Sequence, residues 1–362
     1  MGEKTLNDIF YKPDIGASGA VEKGKFDDGL DVADGKIKDN ENNIKSYISK
    51  MVVSNWTGRK AAADIKWVNV CWSPELKIFC AVAIDGDGSN VMTSPDGITW
   101  TSRNAAADNK WQSICWSPKL EIFCAVAWSG IGNRVMTSSD GITWTGRNSA
   151  EDTKWRGVCW SPKLEIFCAV GYSGVVSNVM TSSDGITWTG RTAASGNYWA
   201  SVCWSPKLEI FCAVSFIGSD NKVMTSPDGI TWTGRLPAAG DNWYSVCWSP
   251  KLEIFCAVSY MFGDNKVMTS PDGITWTGRN AAVDNFWASV CWSPELGLFC
   301  AVAYTGDGNR VMTSPDGITW TSRNAAVDSS WASVCWSPEL GNFCAVANSG
   351  DGNRAMTSLF FH

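Results

Sequence analysis

The chain has 362 residues, 44% hydrophobic and 18% charged, and a formal net charge of −6. Its length supports a sizeable core, and its acidic balance leaves no basic footprint for nucleic acid. No apolar run is long enough to span a membrane, and the first residues lack the apolar centre of a signal peptide.

Residues 1–50 contain no Trp, no Cys and no repeat. Leu6, Ile9, Phe10 and Tyr11 form an apolar-aromatic motif suited to docking on a partner, closed by Lys12-Pro13. Residues 16–39 are rich in Gly, Asp and Lys and read as extended or flexible. Residues 40–49 are expected to form a short helix. Met1-Gly2-Glu3-Lys4-Thr5-Leu6 lacks the Ser or Thr of a myristoylation site. Two readings stand for this segment: an attachment arm or a disordered tail.

From residue 51 onward the chain is a repeat. Cys-Trp-Ser-Pro begins at residues 71, 115, 159, 203, 247, 291 and 335, always 44 residues apart. A period of 40–45 residues built from short strands marks propeller blades. In the first copy, residues 67–72 read as an inner strand A and Ser73-Pro74-Glu75-Leu76 as a tight turn. Residues 78–83 read as strand B, Asp85-Gly86-Asp87-Gly88 as a loose loop and residues 91–93 as strand C. A turn at Ser94-Pro95-Asp96-Gly97 then leads to strand D over residues 98–101. The predicted fold is therefore all-β, a seven-bladed propeller of four-stranded antiparallel blades over residues 51–362. The last copy stops after strand C, and Asn55-Trp56-Thr57-Gly58-Arg59 carries the missing strand, with Trp56 placed 44 residues before Trp100. Residues 52–59 are thus expected to complete the seventh blade and close the ring.

Three columns of seven account for 21 of the 22 tryptophans, with Trp128 the extra one, which suits packing between blades. Cysteines recur in pairs, at Cys71 and Cys80 and their six equivalents, facing across strands A and B. They read as disulfides or as small buried thiols; the lack of a secretory leader and the closed ring favour reduced thiols. Zinc is excluded by the spacing and by the single histidine, His362. Asp85-Gly86-Asp87-Gly88 lacks the distal bidentate acid of a calcium loop. No metal and no cofactor are expected.

Variation among the copies collects on one face. The A–B and C–D turns barely change, whereas the B–C and D–A loops differ from blade to blade. The residue after strand B is Ile84, Trp128, Tyr172, Phe216, Tyr260, Tyr304 and Asn348, so five of seven are aromatic. Such a rim suits stacking on sugar rings or contact with a protein surface. Arg134, Lys222 and Arg310, beside Asn133, Asn221 and Asn309, are positioned to hydrogen-bond hydroxyl or acidic groups. The candidate ligand residues are therefore Trp128, Tyr172, Phe216, Tyr260, Tyr304, Arg134, Lys222 and Arg310. The competing reading makes the aromatics caps over the gaps between blades.

Ser-Pro-Asp-Gly-Ile-Thr-Trp at residues 94–100, and its copies at Ser138, Ser182, Ser226, Ser270 and Ser314, resemble the Asp-box of bacterial neuraminidase repeats, one residue shorter between Asp and Gly. That resemblance implies a propeller with structural hairpins and says little about activity. An arm ahead of a binding-type ring resembles, in organisation, the tail-fibre and other virion appendage proteins of bacteriophages. It implies a protein made soluble in the host cytoplasm and located in the virion. Residues 1–50 would fasten it to other virion proteins, and the ring would meet a host-surface glycan or protein. Carboxylates such as Asp96 recur once per blade, and no His-based nucleophile is available within the ring. The expectation is that the protein is not an enzyme. A purely structural virion component and a cellular lectin-like or scaffold propeller are the alternatives.

Overall fold

The computed structural model describes residues 53–359, apart from residues 173–176, 219, 262–264 and 351. The expected arm, including Leu6, Ile9, Phe10 and Tyr11, and the helix expected over residues 40–49 lie outside the described residues. The chain divides after Tyr47, and every described residue falls in the unit Ile48–His362.

Strand β1 (Trp56–Arg59) comes first. Strands β2 (Trp67–Ser73), β3 (Ile78–Ala83), β4 (Val91–Ser94) and β5 (Thr101–Arg103) follow as one antiparallel sheet in the order β2-β3-β4-β5. Strands β6 to β25 repeat the set in five more sheets. The seventh sheet takes β26 (Trp331–Ser337), β27 (Asn342–Ala347) and β28 (Ala355–Ser358), with β1 on its outer edge in the order β1-β28-β27-β26. The protein is a seven-bladed β-propeller, as the repeat predicts.

Local chemistry makes each turn. At the A–B hairpin the Leu76 N–H donates to Ser73 Oγ (3.1 Å), and Lys77 takes a left-handed conformation (φ 53°) that closes the corner. The outer strand begins later than expected: residues 98–100 are not in strand, and β5 starts at Thr101. The reason is the Asp96 carboxylate. Its Oδ1 accepts from the N–H groups of Ile98 and Thr99 (both 2.8 Å) and from Ser94 Oγ (2.9 Å), so it curls those residues into the turn. Gly97 N–H donates to Ser94 Oγ (2.8 Å) at φ +70°, and a Cβ there would meet Thr357 of the neighbouring blade at 2.9 Å. The same hairpin occurs at Asp140, Asp184, Asp228, Asp272 and Asp316.

Blades pack aromatic front on small back. Trp67, Val70, Trp72, Phe79 and Met92 of the first blade lie against Cys344, Val346 and Ala355 of the seventh, with Cys335 at the edge. The back of the first blade, with Cys80, Val82 and Val91, meets Trp111, Trp116 and Phe123 of the second. Cys71 and Cys80 are register partners, and all fourteen thiols are free. Burial pushes both thiols well above their usual range, which keeps them protonated and unreactive.

Strand β1 copies an ordinary outer strand. Trp56, Thr57, Gly58 and Arg59 pair with Ser358, Thr357, Met356 and Ala355. Trp56 lies 6.3 Å from Phe343, the spacing of Trp100 from Phe79, and Arg59 Nε donates to Thr357 Oγ1 (3.0 Å) as Arg103 Nε does to Thr93 (3.1 Å). A chain truncated to begin at Lys60 therefore exposes the edge of β28 and loses the Trp56 contact. A truncated chain beginning at residue 51 is expected to melt like the full protein, and the shorter one to melt earlier and to associate. Equal melting temperatures for all three, measured by calorimetry, would remove β1 from the closure of the ring.

The six hairpin aspartates supply a pH dependence. Partial burial alone would raise each carboxyl, but the hydrogen bonds from the backbone and from serine outweigh it and hold the group below its ordinary value. A carboxyl depressed in the folded state contributes stability above its unfolded pKa of about 3.9, and that stability is lost as pH falls through the folded value. The melting temperature should therefore drop on acidification below about pH 4. Asp228→Ala should melt earlier at pH 7 and have less left to lose in acid; an identical acid response in both proteins would place the sensitivity elsewhere.

Candidate functional site

The innermost strand of every blade carries the same irregularity. Trp67 pairs with Ala83 but Asn69 pairs with Val82, so Val68 is an extra residue, a β-bulge. The register breaks at the same place in β6 (Trp111–Ser117), β10 (Lys154–Ser161), β14 (Tyr198–Ser205), β18 (Trp243–Ser249), β22 (Trp287–Ser293) and β26. Several bulged side chains, Val68, Gln112, Arg156, Ala200, Tyr244, Ala288 and Ala332, line a cavity of about 390 Å³ on the axis. That volume lies in the range of small-molecule sites, about 300–1,000 Å³.

One residue further along, a polar ring ties the blades together. The Val158 N–H donates to Ser113 Oγ, Val246 to Ser201, Val290 to Ser245 and Val334 to Ser289, at 3.2–3.3 Å. Asn69 bridges two neighbours: its Oδ1 accepts from the Ile114 N–H (2.9 Å), and its Nδ2 donates to Ser333 Oγ (3.1 Å). Gly157 stands in this column beside Arg156, where a Cβ would come within 3.1–3.3 Å of the backbone of residues 200–202.

Of the expected aromatics, Trp128 and Tyr304 line this cavity, and Phe216 and Tyr260 pack against Tyr244 of its lining. Trp128, Tyr172, Phe216, Tyr260 and Tyr304 are all half-buried. Tyr260 is the hub, with ring centroids 6.0 Å from Phe216, 5.0 Å from Tyr244, 4.9 Å from Phe286 and 5.2 Å from Tyr304. Tyr172 stands apart from that group and accepts a hydrogen bond from the Tyr198 hydroxyl (2.6 Å). Burial, with Tyr244 and Tyr260 close by, pushes the Tyr304 phenol far above its ordinary value, so it stays a neutral hydroxyl. Its oxygen accepts from Asn348 Nδ2 (2.9 Å).

The expected cations have another task. Arg134 donates to the backbone carbonyls of Gly130 (2.9 Å), Trp128 (3.3 Å) and Thr153 (2.8 Å) and pairs with Asp152. Arg310 repeats this with Gly306 (2.7 Å), Tyr304 (3.0 Å) and Asp328. Lys222, 9% exposed, donates to the carbonyls of Gly240 (2.7 Å) and Asp241 (3.1 Å). These three side chains brace their loops, several across to the next blade, with donors turned to backbone carbonyls.

The cation at the mouth is a different residue. Arg156 lies between Trp128 (5.0 Å to the ring centroid) and Tyr244 (5.1 Å), and its Nη2 donates to the Tyr244 hydroxyl (2.6 Å). Lys154 sits beside it, 5.5 Å from Trp128 and 5.4 Å from Tyr172. Arg156, Tyr244, Tyr198 and Phe286 precede or belong to strand A and so lie outside the variable loops after strand B. The signal was the column after the first repeat tryptophan, where Val, Gln, Arg, Ala, Tyr, Ala and Ala succeed one another.

No protein-family model and no curated protein matches this chain. Among solved structures it is similar to a streptogramin B lyase, with a TM-score of 0.70 at 8% identity over 85% of this chain and 98% of that one. A chain of a mitotic checkpoint complex gives 0.60 at 14% identity, over 86% and 93%. An extracellular domain from B. thetaiotaomicron gives 0.58 at 7%, over 81% of this chain and 40% of that one. Identities this low show the shared fold alone. They nevertheless correct one expectation: a ring of this architecture is found in a lyase, so the inference that this protein is not an enzyme does not stand. The axial mouth also gathers unrepeated side chains, such as Arg156 and Tyr244.

The two arginines should separate by substitution. Arg134→Ala strips hydrogen bonds from three carbonyls and should cost about 1–3 kcal/mol of stability. Arg156→Ala should leave the melting temperature nearly unchanged. Equal destabilisation by both would make Arg156 a second brace.

Proposed function

We propose that the propeller is a binding module that holds a saccharide of a cell surface against the aromatic rim of its axial mouth. The observation that carries this reading is the group of packed rings around Tyr260, of which Tyr244 and Tyr304 line the axial cavity. Sugar rings present C–H faces that stack on aromatic faces and hydroxyls that need donors and acceptors. Asn69, Gln112 and Tyr304 line the cavity as neutral polar partners. The opposite rim offers Ser-Pro-Lys/Glu-Leu turns, with no aromatic group at their tips.

A virion setting belongs to the same proposal and rests on the organisation of the chain. In it, residues 1–50 would fasten the protein to a particle, and the propeller would meet the host surface.

The test is a glycan array probed with the full-length protein, followed by calorimetric titration of the best ligand. Replacing Phe216 and Tyr260 together with Ala should weaken binding at least tenfold, since aromatic anchors are each worth about 1–2 kcal/mol or more. Lys163→Ala, on the opposite rim, should bind like the original protein. An array with no retained saccharide would overturn this reading, as would a double variant that still binds normally.

A further inference from the structure

We infer that the axial mouth selects an acidic saccharide and that Arg156 reads its carboxylate or sulfate group. The inference rests on the rim being a saccharide site and narrows the class of sugar it takes.

Arg156 is the one charged side chain among the residues lining the cavity. Among the described residues, no carboxylate lies within ion-pairing distance of Arg156 or of Lys154. Four other cations on this rim have carboxylate partners, Arg134 with Asp152, Lys266 with Asp284, Arg310 with Asp328 and Arg354 with Asp64, and Lys222 is held by the carbonyls of Gly240 and Asp241. A cation held on the axis of a chain with net charge −6, while carboxylates serve its neighbours, leaves its charge for an incoming group.

The geometry prepares that guanidinium for an anion. Trp128 and Tyr244 flank it, and the bond to the Tyr244 hydroxyl fixes its direction with one of five N–H donors. A planar fork locked in this way suits bidentate capture of a carboxylate or sulfate. Room for the rest of the ligand comes from Ala200, Ala288 and Ala332, which occupy the same bulge position as Arg156 on other blades. Lys154, over Trp128 and Tyr172, places a second positive charge on the approach. Gly157, beside Arg156, lets the third and fourth blades close up, where the other blades carry Asn or Ser.

The experiment uses an array in which each carboxylated or sulfated saccharide is printed beside its methyl ester or desulfated form. The original protein, Arg156→Gln and Arg156→Lys are compared. The acidic member of a pair should bind at least tenfold more tightly, Arg156→Gln should abolish that difference, and Arg156→Lys should keep part of it. Retention of neutral saccharides with no preference for the acid, unchanged in Arg156→Gln, overturns this inference and leaves the saccharide reading intact. If no saccharide binds, the saccharide reading falls by itself, and sulfate and citrate decide the role of Arg156. Either ion should then raise the melting temperature of the original protein but not of Arg156→Gln. Equal responses to these ions would overturn the assignment.

Discussion

The propeller depends on one interface, the aromatic front of a blade laid on the small-residue back of the next. Trp67, Trp72 and Phe79 cannot be buried within their own four strands. They are buried because Cys344, Val346 and Ala355 stand behind them. Each blade supplies both halves of the contact, so the interface propagates from blade to blade and is satisfied everywhere only when the ring closes. The cysteines fit this role as compact apolar groups against aromatic rings, which is why they recur without forming bonds. Closure by β1 then removes the edge that an open array would present.

A scaffold so regular builds a site only by breaking its own symmetry. The bulge in the inner strand gives seven equivalent backbone positions aimed at the axis. The blades differ in what is mounted there: a cation at residue 156, a phenol at 244, a carboxamide at 112 and smaller apolar groups at 68, 200, 288 and 332. Variation on the opposite rim is of another kind, an exchange between Glu and Lys at one turn position. Where residue 75 is Glu, it accepts from the Trp116 indole (2.5 Å); where the equivalent residue is Lys119, it pairs with Glu165 instead (3.4 Å). Those exposed pairs contribute little, and the exchange leaves the indole N–H groups of Trp160, Trp204, Trp248 and Trp292 without an acceptor. One rim exchanges a Glu–indole contact for a Lys–Glu pair in three blades; the other gathers different groups around a cavity.

Reading a repeat as a list of turns and loops directs attention to the loops, and half of the mouth escapes that reading. Trp128, Tyr172, Phe216, Tyr260 and Tyr304 follow strand B and are visible as variable loop residues. Arg156 and Tyr244 lie inside a strand whose alternation gives no hint that its second residue is squeezed out. For Arg134, Lys222 and Arg310 the tertiary structure adds backbone partners that the loops do not reveal, among them the carbonyls of Gly130, Thr153 and Gly240.

The amino-acid sequence by itself determined the number of blades, their four strands and the closure by residues around Trp56. All of these follow from a strict 44-residue period and from hairpin chemistry that acts within a few residues. It also marked the variable rim and its aromatics. Tertiary structure alone decided that the outer strand starts at Thr101, because the Asp96 carboxylate captures the preceding backbone. It alone brought Arg156 of the third blade against Tyr244 of the fifth, 88 positions away. The physical reason is that a bulge is a mismatch of register between two strands. It belongs to their pairing and not to either strand, so the direction of its side chain exists only once the blade has formed.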